Sequence, residues 1–132
     1  MRMPQRSIYD TRFFVEYFYS DDERALTKLK EDLRATRERV VLVVTIHEIY
    51  KIVLEREGRE VAKLRGETIR RDFEVVDMDY VLAIESAEIR RKYRIPLADS
   101  VIIATALRWS CPVVSDDPHF KKVKEVKTRW TI

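Results

Sequence analysis

Five consecutive aliphatic residues, Val40-Val-Leu-Val-Val44, stand in a chain whose other apolar residues mostly recur at helical spacing. A solid β-branched run of that kind reads as a strand buried on both faces, which happens where helices cover both sides of a parallel sheet. The flanking segments agree. Residues 7–9 read as a short, weak strand ending at Asp10, 73–76 and 112–115 as further short strands, and 123–127 as a last strand at the edge. Helical spacing covers 13–19, then 23–37 with Leu26, Leu29 and Leu33 on one side, then 45 onward with Ile49, Ile52 and Val53. Further helices are expected from Gly58 to about 71, over 80–93 with Val81, Ile84, Ala87 and Ile89 facing inward, and over 98–109. The last is apolar nearly all round, so it belongs at the centre. Strands alternating with helices predict an α/β fold: three layers, α/β/α, with a mainly parallel central sheet. Residues 1–132 are read as one domain, since the length suits one and no linker or repeat divides it.

Several function classes drop out on composition. The chain has two glycines, Gly58 and Gly66, so the three-glycine dinucleotide turn and the Gly-Lys-Ser/Thr phosphate loop are absent. Cys111 is the only cysteine, which excludes an internal disulfide and any multi-cysteine metal site. The aliphatic run at Val40 is far short of the ~20 residues needed to cross a bilayer, and the polar opening Met1-Arg-Met-Pro-Gln-Arg6 is unlike a signal peptide. A cytoplasmic location is expected. Asparagine is missing and Gln5 is the one glutamine, beside abundant Glu, Lys and Arg, a bias that fits a heat-adapted source.

Functional groups of an open α/β sheet collect beyond the carboxyl ends of its strands. Asp10, Glu48 and Asp117 are predicted there, and Asp99 joins them if the central helix begins at the same edge. Each has an ordinary structural role available. Thr45-Ile-His-Glu48 matches a capping box, Asp99 complements a helix N-terminus, Asp10 caps the next helix and Asp117-Pro118 makes a turn. Four separate caps need not converge, however. Converged carboxylates raise one another's pKa values unless cations compensate, and Mg²⁺ and Mn²⁺ are the hard ions that prefer oxygen ligands. Basic side chains exceed acidic ones by 3, and by 7 once these four acids are set aside, as binding a phosphodiester polymer requires.

The same residues resemble the PIN domain family, and within it the VapC-type toxin ribonucleases. Asp10-Thr11 before an aromatic helix looks like the family's opening motif, and Glu48 after the Val40 run is similar to its second acid. Pro96-Leu-Ala-Asp99-Ser-Val-Ile-Ile-Ala-Thr-Ala106 resembles the helix carrying the third. Val113-Val-Ser115-Asp-Asp117-Pro-His-Phe120 resembles the segment holding the fourth. The resemblance implies a metal-binding quartet of Asp10, Glu48, Asp99 and Asp117 that serves Mg²⁺ or Mn²⁺, with Thr11 and Ser115 in support and Asp116 the lesser candidate for the fourth ligand. It further implies a metal-dependent endoribonuclease, the toxin of a toxin–antitoxin pair, forming homodimers and silenced by a small antitoxin. The polar Pro4-Gln-Arg-Ser7 departs from the family's apolar first strand, and Arg12 stands where a small residue is common. Arg12 is placed to pair with Asp10 or to reach a substrate phosphate, and Lys51 to contact a phosphate at the pocket edge.

Remaining signals divide between chemistry and packing. His47-Glu48 is no zincin motif, because residue 51 is Lys. His119 is read as a structural loop residue beside Phe120. The basic clusters Arg90-Arg-Lys-Tyr-Arg94 and Lys121-Lys-Val-Lys124 suit RNA guidance or a solvated face equally. The aromatic segment with Phe13, Phe14, Tyr17, Phe18 and Tyr19 fits core, dimer or antitoxin contact, and Trp109 and Trp130 read as packing residues. Rival readings are a catalytically inactive PIN fold that binds RNA or protein, a housekeeping RNA-processing nuclease, and a response-regulator receiver. The receiver needs paired acids after its first strand, where Asp10 stands alone.

Overall fold

A computed structural model describes residues 6–130 and 132. Among the described residues, five strands form one sheet: β1 (Arg6–Tyr9), β2 (Glu38–Leu42), β3 (Glu74–Val76), β4 (Val113–Val114) and β5 (Thr128–Arg129). Their order is β3-β2-β1-β4-β5 and every pairing is parallel. The helices are α1 (Thr11–Tyr19), α2 (Glu23–Ala35), α3 (Val43–Glu57), α4 (Arg59–Asp72), α5 (Tyr80–Tyr93) and α6 (Leu97–Trp109), with a 3₁₀ turn at Pro118–Lys122.

Alternation along the strands builds the layers. Ile8, Val40, Leu42 and Val113 enter one apolar cluster with Val101, Ile102 and Ile103 of α6. Tyr9, Val41 and Val114, one residue out of phase, enter a second with Phe13, Phe14, Leu29, Ile49, Val53 and Ile69 from α1–α4. A parallel sheet buried on both sides makes three α/β/α layers. α6 is central as expected, with every residue from Ala98 to Ala106 buried. Gly58 closes α3 and opens α4 at φ 88°, a backbone setting that favours glycine.

Four details differ from the pattern reading. The Val40 strand starts and stops earlier: β2 ends at Leu42, and Val43 and Val44 already belong to α3. The neighbouring strands explain this, because β3 pairs only with Val40, Val41 and Leu42, and β1 only with Glu38, Arg39 and Val40. With no ladder partner beyond Leu42, the backbone satisfies itself as a helix. The last strand lies at Thr128–Arg129, not over 123–127. Val123 and Val126 are spaced for a turn, with the amide of Val126 on the carbonyl of Val123, and both point into the core.

α5 is also rotated from the face expected. Val81, Ile84 and Ala87 are exposed, whereas Leu82 and Ser86 are buried and Ile89 is half-buried. Ser86 enters the core because its hydroxyl donates to the carbonyl of Ala83. Finally, the weak first strand is the middle strand of the sheet, with Ser7, Ile8 and Tyr9 fully buried. Pro4 and Gln5 of the polar opening lie outside the described residues.

Candidate functional site

β1 and β4 are parallel neighbours, so the residues that follow them emerge at the same edge. Asp10 follows β1 directly and Ser115 follows β4. The Ser115 hydroxyl donates to Asp10 Oδ2 at 2.7 Å and accepts the backbone N–H of Asp117 at 3.0 Å, tying the two acidic segments together. Asp10 occupies the N-cap position of α1, where its carbonyl accepts the N–H of Phe13 at 3.0 Å while its side chain makes no capping hydrogen bond. Burial raises its pKa above the ordinary carboxylate range, the Ser115 hydroxyl opposes that rise, and the charge of Asp117 adds to it.

Asp99, in the first turn of α6, is buried at 6% exposure. Its pKa is pushed up to about 7, first by burial and then by the charges of Asp117 and Asp10, with a smaller push from Glu48. A helix N-terminus favours the ionised acid, so burial and like charge outweigh that dipole here. Glu48 comes from the second turn of α3. No capping box forms, because α3 begins at Val43 and places Thr45 inside the helix. Glu48 Oε1 instead accepts the Thr11 hydroxyl at 2.6 Å. The fold thus brings Asp10, Thr11, Glu48, Asp99, Ser115 and Asp117 to one place.

Other candidates stand at the rim or outside it. Arg12 does not pair with Asp10. Its Nε donates to Asp116 Oδ1 at 2.9 Å and its Nη2 to Oδ2 at 3.3 Å, which lowers the Asp116 pKa. Asp116 is thereby turned to a guanidinium, while Asp117 faces Asp99. Lys51 is exposed on α3 and lies 3.3 Å from Glu55, one turn along the same helix.

His119, read from the sequence as a structural loop residue, stands beside the acids. The side chain of Asp117 accepts the backbone N–H of His119 at 2.9 Å, and Pro118 opens the 3₁₀ turn between them. The fully buried Phe120 anchors that turn. The imidazole Nδ1 is held 2.8 Å from Asp117 Oδ1 and 3.0 Å from Asp99 Oδ2. It makes no hydrogen bond despite those distances, although the atom is buried. The available signal was its place two residues after Asp117.

The PIN domain model matches residues 8–126, and the chain belongs to the PIN domain family. Its fold is that of VapC-type PIN toxins in solved toxin–antitoxin complexes. The DNA-bound VapBC of Salmonella typhimurium aligns at TM-score 0.78 and 16% identity, over 98% of this chain and 100% of that one. VapBC2 of Rickettsia felis, bound to a DNA fragment from its promoter, aligns at 0.77 and 13%, over 95% and 98%. VapC20 of Mycobacterium tuberculosis, a toxin that cleaves the sarcin–ricin loop, aligns at 0.69 and 15%, over 81% and 86%. No curated protein matches the sequence significantly.

Divalent ions are general to this family, and the residues present fit one. Asp99, Asp117 and His119 each offer a ligand atom, all within 4.8 Å of one another. The buried, unpartnered Nδ1 lies among carboxylate oxygens, a donor set suited to a small divalent cation. Among the described residues, no helix is long and apolar enough to cross a membrane.

Proposed function

We propose that this chain, read as one domain over residues 1–132, is a divalent-metal-dependent endoribonuclease acting as the toxin of a toxin–antitoxin pair. The observation that carries the reading is a buried acid, Asp99, surrounded by three further carboxylates, with its pKa pushed up to about 7. Such a site gains from a divalent cation more than any one of its acids would alone.

Asp10, Asp99, Asp117 and Glu48 hold Mg²⁺ or Mn²⁺ in this reading. A divalent ion supplies Lewis acidity, acidifying water and offsetting the charge that builds at phosphorus. Ser115 fixes the Asp10 carboxylate by its 2.7 Å hydrogen bond, and Thr11 does the same for Glu48 at 2.6 Å. Both hydroxyls keep acids oriented that would otherwise repel each other. Arg12, on the first turn after Asp10, is in range of a substrate phosphate if it leaves Asp116, and a planar guanidinium suits that exchange. Lys51 is a weaker phosphate candidate, as its Glu55 partner is on its own helix.

A small antitoxin partner is supported by neighbours that are themselves toxin–antitoxin complexes. RNA as substrate is supported by the one described as cleaving the sarcin–ricin loop. A homodimer belongs to this reading, and Tyr80, Val81 and Ile84 of α5 and Leu97 of α6 are exposed apolar side chains available to such an interface.

The test is cleavage of a mixed panel of labelled RNAs by wild type and Asp99→Asn, each with Mg²⁺, with Mn²⁺ and with chelator. Metal-dependent cutting that disappears in the variant is the expected result. RNA retention without cutting, by folded protein free of antitoxin, would sink the nuclease and leave the binding-module reading.

A further inference from the structure

We propose that His119 is a direct ligand of the site's divalent ion through Nδ1, completing a mixed nitrogen–oxygen site with Asp99 and Asp117 that favours Mn²⁺ over Mg²⁺. The proposal rests on the metal-dependent reading above and adds to it a residue and a selectivity.

The distances are those of neighbouring ligands around one ion. In an octahedral site with bonds of about 2.1 Å, adjacent ligand atoms lie about 3.0 Å apart. Nδ1 is 2.8 Å from Asp117 Oδ1 and 3.0 Å from Asp99 Oδ2. The absence of a hydrogen bond at these distances agrees as well. An oxygen adjacent to the nitrogen across a shared octahedral ion lies about 45° off the axis from nitrogen to metal, too far off-line for a good hydrogen bond. Nδ1 does approach both carboxylates without forming a hydrogen bond to either. A ring placed simply to neutralise the acids would point an N–H along one of those short contacts.

The placement is built into the chain. The Asp117 carboxylate accepts the backbone N–H of His119, and buried Phe120 pins the next position, so the ring root is fixed on both sides. The ring is 40% exposed, yet Nδ1 itself is buried on the acid side. Selectivity follows from ligand chemistry. Mg²⁺ prefers oxygen and retains water, whereas an imidazole nitrogen binds Mn²⁺ and the later divalent ions more strongly.

The experiment is pulsed electron paramagnetic resonance on Mn²⁺-loaded wild type, His119→Ala and Asp99→Asn, with calorimetric titration of Mn²⁺ and Mg²⁺ and a melting curve for each. The expected result is ¹⁴N coupling from a bound imidazole in wild type that vanishes in folded His119→Ala. Mn²⁺ affinity should fall about tenfold in that variant and Mg²⁺ affinity less than threefold. Mn²⁺ bound to wild type without ¹⁴N coupling, or an equal loss for both ions in His119→Ala, overturns the role of His119 while leaving the metal site standing. Wild type that binds neither ion overturns both.

Discussion

Asp32 and Asp99 are buried to nearly the same depth, at 3% and 6% exposure, and they meet opposite surroundings. Asp32, on α2, is gripped by Arg129 of β5, which also reaches Ser7 at 2.9 Å and Thr36 at 3.1 Å. Tyr9 donates its hydroxyl to the same carboxylate at 2.5 Å. One buried charge is thus matched by one cation and several donors, which joins the last strand to the second helix and to the middle of the sheet. Asp99 instead faces Asp117, Asp10 and Glu48, with His119 as the one opposing group among those that act on it. The contrast separates two uses of a buried acid. Where the carboxylate is architectural, the chain brings its own cation; at the sheet edge it leaves a deficit of positive charge that a bound ion can fill.

The largest effect expected on the architectural side follows from removing Arg129. Arg129→Met leaves Asp32 buried without its cation and should cost about 3–5 kcal/mol in urea unfolding. Replacing both partners by apolar residues of similar volume should restore much of that loss. If Arg129→Met is nearly neutral, Asp32 and Asp99 are not a contrasting pair.

On the site side, Asp99→Asn should fold normally and lose RNA cleavage in Mn²⁺ by about 100-fold or more, since even indirect partners of metal ligands cost 10–100-fold. Labelled-RNA assays on both variants sharpen the comparison, because Arg129→Met should retain its activity per folded molecule.

Proton linkage gives a third expectation. Folded Asp99 holds a proton up to about pH 7, while the unfolded chain releases it near the ordinary carboxylate value. The folded state therefore binds more protons between about pH 4 and 7, and metal-free protein loses stability as pH rises through that window. The loss should be on the order of 2 kcal/mol, read by urea titration at several pH values, and flattened in Asp99→Asn. The charges involved face one another from β1, α3, α6 and the Pro118 turn, so added Mn²⁺ should recover stability most at the alkaline end.

The smallest effect belongs to the exposed pair at the rim. Arg12→Ala should change stability by less than about 1 kcal/mol, as exposed ion pairs do. A raised KM for RNA with unchanged melting would mark Arg12 as a phosphate contact; unchanged kinetics would leave it as a partner of Asp116 alone.

Much of this was legible in residue order. The Val40 run marked a strand covered on both faces, and the apolar Ala98 segment marked the central helix. The family resemblance ranked Asp117 ahead of Asp116 as the fourth acid, and Asp116 is the one that turns to Arg12. Register and rotation were less legible. Val43 and Val44 carry strand propensity, but a strand ends where its neighbours stop pairing, and those neighbours lie more than 30 residues away in sequence. The inward face of α5 was misjudged because apolar residues occur on more than one side, so the helix itself did not specify which side docks.

The sequence by itself determined the layers and the order of the elements, because periodicity and residue type act locally and need no partner to be read, and it offered four acids as candidates for one edge of the sheet. Tertiary structure alone decided that Arg129 belongs to Asp32, that Glu48 leans on Thr11, and that the Nδ1 of His119 lies between Asp99 and Asp117. Those pairings depend on how the sheet brings distant segments to a common edge, and a carboxylate's environment is set by neighbours in space.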